Sequence, residues 1–235
     1  MTPKDFDLIV LGLGPGGEEV AGKVAAAGRS VLGIDSGLVG GECPYYGCIP
    51  SKMILRGADL LAEARRVDGM AGHAEVESDF APVAARIRAE ATDDWDDHVA
   101  VERFEGQGGR FVRGAGRFVG RDDDGRLRVQ VGDDTYRAGR VVVATGTAPA
   151  IPPIDGLAEL RASGDGVDGP VWTNREAVKA TAAPISLVVL GGGAIGCELA
   201  QGFARFGSRV TIIEAAERIL MPEEPEASQV VADVL

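Results

Sequence analysis
The sequence predicts an α/β protein: a larger first domain built on a strand–helix–strand unit with a β-meander, then a partial second unit of the same kind. Three observations predict it. Short apolar runs alternate with stretches of helical periodicity. A glycine fingerprint follows the first apolar run and recurs after a later one. Between the two copies lies an alternating segment punctuated by Gly and Asp.

Composition bounds the reading. The chain has 235 residues, 45% hydrophobic and 26% charged, enough for one large domain or two small ones. A formal net charge of −12 argues against a nucleic-acid or anionic-membrane partner. The longest apolar runs are short and interrupted by glycine, so no membrane span is expected. Met1-Thr2-Pro3-Lys4-Asp5 leads directly into a strand without a signal-peptide core. With three cysteines and no secretory signal, the expected compartment is the reducing cytoplasm.

The elements follow in order. Phe6-Asp7-Leu8-Ile9-Val10-Leu11 reads as a buried parallel strand. Gly12-Leu13-Gly14-Pro15-Gly16-Gly17 is a GxGxxG at the strand-to-helix turn, and the helix runs on to Gly28, its expected C-cap. Ser30 to Ile34 is a second strand, ending in Asp35. Small glycines let the backbone approach a pyrophosphate, the helix N-terminus favours its charge, and Asp35 can accept a hydrogen bond from a ribose hydroxyl.

After Lys52 the spacing of Met53, Ile54, Ala58, Leu60, Leu61 and Ala64 predicts a helix. Phe80 to about Val101 reads as a further helical stretch broken by Asp93-Asp94 and Asp96-Asp97, with Trp95 as a packing residue. His73 and His98, the only histidines, read as surface or structural. Phe111–Val119, Leu127–Val131 and Thr135–Arg137 read as a meander with turns at Asp123-Asp124-Gly125 and Gly132-Asp133-Asp134. Val141–Ala144 reads as a separate buried strand ending at Thr145-Gly146. That end fits a cofactor edge or a plain strand-to-loop turn equally well. Ala150 to Pro184, rich in Pro, Gly and Asp, reads as a connection with a short helix near Thr173–Glu176.

The fingerprint then returns. Leu187–Leu190 leads into Gly191-Gly192-Gly193-Ala194-Ile195-Gly196, and Val210–Ile213 ends at Glu214. Gly12, Gly14, Gly17, Gly28 and Asp35 map by one constant offset onto Gly191, Gly193, Gly196, Gly207 and Glu214. Two related βαβ units, hence two dinucleotide sites, are the reading. A helix is expected after Pro225. One βαβ fragment is too small to close a doubly wound domain, so the second domain reads as incomplete.

One stretch is not explained by nucleotide binding alone: Gly40-Gly41-Glu42-Cys43-Pro44-Tyr45-Tyr46-Gly47-Cys48-Ile49-Pro50-Ser51-Lys52. On an ideal helix, positions i and i+5 lie about 7.5 Å apart along the axis and face different ways. A disulfide between them would need a distorted segment, and Pro44 and Gly47 are suited to distort one. A plain stabilising disulfide in so short a loop would remove little unfolded-state entropy, and a zinc site lacks a second Cys or His pair nearby.

Together these residues resemble the flavin-dependent pyridine nucleotide-disulfide oxidoreductases, the group that includes dihydrolipoamide dehydrogenase, glutathione reductase, mycothione reductase and mercuric reductase. The resemblance covers the first fingerprint, Gly-Gly-x-Cys-x4-Cys-Ile-Pro-Ser-Lys, the Ala144-Thr145-Gly146 strand end and the second fingerprint. It implies a three-layer Rossmann-like FAD-binding domain over 1–149, a connecting segment over 150–184 and a partial Rossmann-like NAD(P)-binding domain over 185–235. It implies FAD along Gly12, Gly14 and Gly17 with Asp35 on the ribose, Gly114-Ala115 at the adenine through backbone, and Thr145-Gly146 lining the site. Lys52 would approach the flavin and Glu198 would pair with it. Cys48 would be the thiolate facing the flavin, and Cys43 the thiol that attacks the substrate disulfide. Gly191, Gly193, Gly196 and Glu214 would hold NAD, with NADP as the alternative. No metal is implied.

The implied activity passes electrons between NAD(P)H, FAD and a redox-active Cys43–Cys48 disulfide to a small-molecule or protein disulfide, or in reverse. Related readings keep the fold with a quinone or metal-ion acceptor, or reduce the chain to a noncatalytic FAD-binding fragment. The full-length form would be a homodimer whose interface domain supplies a His-Glu pair to the partner subunit. This chain lacks that part and reads as truncated, with little turnover expected alone. Glu214 favours the free 2′-hydroxyl of NAD, and Arg218 lies close enough to soften that preference. Ala194 stands where some relatives carry a bulky gate, and Cys197 reads as a buried small residue.

Overall fold
The computed structural model describes residues 4–235, so the Met1-Thr2-Pro3 part of the expected start lies outside the described residues. The chain divides into two compact units, each made of two stretches: 1–45 with 92–150, and 46–91 with 151–235.

The first unit holds one six-stranded sheet in the order β3-β2-β1-β6-β5-β4. Its strands are β1 (Lys4–Leu11), β2 (Val31–Asp35), β3 (Arg110–Arg113), β4 (Arg117–Arg121), β5 (Leu127–Val131) and β6 (Asp134–Val143). β3, β2, β1 and β6 run parallel, and β5 and β4 continue the sheet antiparallel. The unit also holds α1 (Pro15–Ala26), the short α2 (Glu42–Tyr45) and, further along, the helix His98–Gly106.

Strand alternation sorts the core into two faces. Leu8, Val10 and Val31 pack with Ala21 and Ala25 of α1 and with Ala100 and Phe104 of the His98–Gly106 helix. Ile9, Leu11, Leu32 and Ile34 pack instead with Val129, Val131, Tyr136 and Ala138 of the meander. Helices, sheet and meander therefore form three layers.

Two strand assignments differ from the sequence reading. Phe111–Val119 is not one meander strand. Phe111 belongs to β3 at one edge of the sheet and Val119 to β4 at the other. Five strand spacings amount to about 24 Å in a flat sheet. The residues between Arg113 and Arg117 reach about 14 Å at most, so the sheet curls. Glycine permits the join: Gly114 has φ +153, and a Cβ on Gly116 would lie 2.6 Å from Leu11 Cδ2. Nor is Val141–Ala144 a separate buried strand. Thr135 to Val143 lie in one strand that pairs with β5 at its start and with β1 along its length, and Val143 is 70% exposed.

The second unit contains α3 (Cys48–Arg65), α4 (Ala81–Arg86) leading into a π-helical turn (Ile87–Ala91), α6 (Leu157–Ala162), α7 (Asn174–Lys179), β7 (Ser186–Leu190), α8 (Ala194–Arg205), β8 (Arg209–Ile213) and α9 (Pro225–Val234). The helix His98–Gly106 of the first unit is α5. The helical stretch expected over Phe80–Val101 breaks where its acidic pairs stand: the π-helical turn ends at Ala91, α5 starts at His98, and Asp93, Asp94 and Trp95 between them have φ values of 47°, 53° and 59°. That left-handed run ends a right-handed helix, and aspartate tolerates it better than most residues.

α3 begins at Cys48, before Lys52, and lies close against α8. A Cβ on Gly202 would sit 2.7 Å from Ile54 Cγ2, and one on Gly57 would sit 2.7 Å from Val83 Cγ2. Phe203 stacks on Phe80 at 5.3 Å and Phe206 meets Phe80 edge-on at 5.1 Å. Thr173 and Glu176 form a capping box that starts α7 in the connecting segment, as its Thr-x-x-Glu pattern dictates. β7 and β8 pair in parallel, and alternate residues Val188, Leu190 and Ile213 remain exposed.

Candidate functional site
The first glycine loop is shaped by close approach. Gly12 has φ +89, and a Cβ there would lie 2.3 Å from the Ala144 carbonyl oxygen. A Cβ on Gly17 would lie 1.9 Å from the Gly12 carbonyl oxygen. Both positions therefore require glycine for the helix to pack on the strand. Gly14 is the N-cap of α1, with no side chain capping it, and Gly16 has open space around it. The first-turn N–H groups are left for an anion, so the residues present fit a pyrophosphate.

Asp35 closes this loop from the end of β2. Its Oδ2 accepts from the Leu13 N–H at 2.6 Å and its Oδ1 from the Gly37 N–H at 2.7 Å. Each oxygen keeps a further lone pair for a ribose hydroxyl. The Gly114 N–H donates to the Asp35 carbonyl at 2.8 Å, and the exposed Ala115 follows. Thr145 Cα would lie 2.9 Å from a Cβ on Gly12, and Gly146 follows with φ +66. Gly12, Gly14, Gly17, Asp35, Gly114, Ala115, Thr145 and Gly146 thus gather at the carboxyl ends of β1, β2, β3 and β6, where open α/β sheets bind ligands.

The cysteine segment starts against this loop. Gly40 donates its N–H to the Leu13 carbonyl at 2.7 Å. A Cβ on Gly41 would lie 2.7 Å from Gly14 Cα. Cys43, half-buried, lies two residues further on in α2. Sequence reasoning missed what holds this segment. Asp97, read as part of an acidic break, is 7% exposed and accepts from the Val39 N–H at 2.6 Å. Arg113 Nη2 reaches both oxygens of Asp97, at 2.7 and 2.6 Å. Four aspartates crowd residues 93–97, and nothing in the sequence singles out the buried one.

Cys48 is exposed in the first turn of α3. Lys52, four residues on, shares its helix face. Lys52 Nζ donates to Glu198 Oε1 at 2.5 Å, and Ser51 Oγ donates to Glu198 Oε2 at 3.3 Å. The expected Lys52–Glu198 pair is therefore present. Tyr46 is pinned ahead of α3: its carbonyl accepts from Asn174 Nδ2 at 2.8 Å and its ring lies under Arg175 and Lys179.

The second loop repeats the first. Gly191 has φ +107, a Cβ on Gly196 would lie 2.2 Å from the Gly191 carbonyl oxygen, and Gly193 caps α8 in open space with no side chain capping it. Glu214 takes the place of Asp35: Oε2 accepts from the Gly192 N–H at 2.6 Å and Oε1 from the Ala216 N–H at 2.8 Å. These bonds, the Ala216 one foremost, hold the Glu214 carboxyl below its ordinary value. Cys197 is buried, and burial followed by the Glu214 charge pushes its thiol up. Arg218 does not face outward. Its fork donates to the carbonyls of Leu220, Met221 and Glu223 at 3.0, 3.0 and 2.8 Å. His73 and His98 are exposed beside Asp68 and Asp96. No helix is long and apolar enough to cross a membrane, and no metal-binding cluster occurs, among the described residues.

Comparison with known proteins extends this geometry. The chain is 33% identical over 237 residues to a dihydrolipoyl dehydrogenase of Haloferax volcanii, covering 96% of this chain and 46% of that protein. It is 34% identical to a mercuric reductase of Streptomyces lividans, covering 95% and 45%. Among solved structures it matches LpdA of Mycobacterium tuberculosis with a TM-score of 0.74 at 25% identity, over 98% of this chain and 49% of that one. It shares the fold of the flavoprotein disulfide reductase RclA of Escherichia coli, with a TM-score of 0.74. The chain spans about half the length of the curated relatives it matches. The family model for pyridine nucleotide-disulphide oxidoreductases matches residues 6–235, and the chain belongs to that family.

Proposed function
We propose that this chain carries the FAD and redox-cysteine machinery of an NAD(P)H:disulfide oxidoreductase. Bound FAD would supply two-electron transfer between NAD(P)H and a Cys43–Cys48 disulfide. The chain's own residues do the rest. Gly14 and Gly16 offer N–H groups to a pyrophosphate, and Asp35 orients the ribose. The reduced Cys43 thiolate attacks a substrate disulfide, displacing one thiolate, and Cys48 then attacks the mixed disulfide to release the second. Two electrons and the Cys43–Cys48 bond balance the exchange. Lys52, steadied by Glu198, contributes positive charge at the Cys48 end of α3.

The observation that carries this reading is the packing of Gly41 on Gly14, which starts the cysteine segment at the first nucleotide loop. The second loop takes the nicotinamide cofactor. NAD is favoured over NADP, because Glu214 opposes a 2′-phosphate and Arg218 is turned onto its own loop. A metal ion as the acceptor is the second reading, favoured by the mercuric reductase relative.

Reconstitution with FAD tests the proposal. The expected result is a yellow protein whose long-wavelength absorbance on two-electron reduction disappears in Cys48→Ser. Colourless protein that refuses added FAD would overturn it. Turnover with Hg²⁺ but with no disulfide would select the second reading.

A further inference from the structure
The second nucleotide loop is held by groups outside its fingerprint. Gly192 is buried. Its N–H is held by Glu214, and its carbonyl accepts from the Leu220 N–H at 2.7 Å and the Cys197 thiol at 3.4 Å. A Cβ on Gly192 would lie 2.5 Å from Ile219 Cγ2, so Ile219 lies directly on the loop.

A peptide unit is planar, so its C=O and the following N–H point opposite ways. With the Gly192 carbonyl turned to the Leu220 N–H, the Gly193 N–H points the opposite way; Gly193 is the exposed N-cap of α8, where a Cβ would meet nothing within 4 Å. That N–H is one of those a phosphate would use. The donor to the Gly192 carbonyl, Leu220, has φ +51, a conformation a leucine does not hold unaided. Arg218 supplies the hold, with three bonds from one planar fork to the carbonyls of Leu220, Met221 and Glu223.

The first unit shows the same device with different parts. Leu13 stands where Gly192 stands, Gly40 donates to its carbonyl, and the Asp97–Arg113 pair steadies that segment through the Val39 N–H. Its recurrence marks the clamp as part of how this chain builds a nucleotide loop.

We propose that Arg218 is a positioning residue for the nicotinamide nucleotide: it aims the Gly193 N–H through the Leu220–Gly192 hydrogen bond and does not contact the 2′-position. This rests on the reading that the second loop takes NAD(P)H.

The test compares the wild-type chain with Arg218→Ala and Arg218→Lys, the latter keeping the charge but losing the fork. Dissociation constants for NADH and NADPH are measured by calorimetry, and exchange of the Leu220 amide by hydrogen–deuterium exchange without nucleotide. Both constants are expected to rise by the same factor, about tenfold, the order that one ordinary hydrogen bond carries. The Leu220 amide is expected to exchange faster in both variants while the β7 and β8 amides keep their protection. A selective loss of NADPH binding would overturn the proposal, as would unchanged Leu220 exchange. Wild-type binding untouched by either substitution would overturn the proposal alone. A wild-type chain that binds neither nucleotide would overturn it together with the reading beneath it.

Discussion

Glu214 and Cys197 both bond the backbone of Gly192, and their acidities move in opposite directions for different reasons. Two main-chain N–H groups hold the Glu214 carboxyl below its ordinary value. A carboxyl with a lowered folded pKa stabilises the fold above its unfolded value and loses that contribution as pH falls through the folded value. The clamp on Gly192 should therefore persist to about pH 5 and weaken only in stronger acid. NADH affinity measured from neutral pH down to that limit is expected to show no step from this group. A step centred near pH 6 would contradict the assignment. Cys197, with its thiol pushed up by burial, stays protonated where Cys48 is exposed. After reduction of the chain, iodoacetamide is expected to label Cys48 quickly and Cys197 only on unfolding, as read by mass spectrometry. The Lys52–Glu198 pair is largely exposed, so its worth to stability is on the order of 1 kcal/mol or less. Glu198→Gln should accordingly shift Tm by no more than about 4 °C, and a larger drop would show that the pair holds the fold.

At the scale of elements, α3 and α8 approach closely because glycine stands at the crossing. Gly202→Ala would gain about 1 kcal/mol of helix propensity. It would also drive a methyl into Ile54, which is fully buried, and overpacking costs about 1–3 kcal/mol. A net loss is expected, with partial recovery in the Gly202→Ala, Ile54→Val double variant. Calorimetric melts that show simple additivity would place the strain elsewhere. The glycine spacings of both fingerprints and the Thr173 capping box were legible because each is a local rule written in adjacent residues. The edges of the sheet were not. Val119 follows Phe111 with the same alternation, and only long-range pairing assigns one to β4 and the other to β3. The Lys52–Glu198 pair became legible through the resemblance. Asp97, Arg113 and Asn174 stayed hidden, because their partners are backbone groups or residues far along the chain, which leave no mark in a local pattern.

At the scale of the molecule, each unit is stitched from two separated stretches, and the join between Tyr45 and Tyr46 falls inside the cysteine motif. The β7–β8 sheet leaves Val188, Leu190 and Ile213 uncovered in a chain that spans about half of its relatives. Such a face should bind a hydrophobic dye. Fluorescence of added anilinonaphthalene sulfonate is expected to fall when Val188 and Ile213 are replaced by threonine. An unchanged signal would mean that the dye sits elsewhere.

The interleaving also sets a schedule at the ribosome. Asp59 of α3 pairs with Arg205 of α8 across 146 residues of sequence. At ~5–20 residues per second, that is a delay of roughly 7–30 s. For that interval the nascent α3 has α4 and its π-helical turn to pack on but lacks α8, whose Gly202 lies against Ile54. A chaperone that shields short apolar helices would meet its client there, before the strand that follows α8 has been translated.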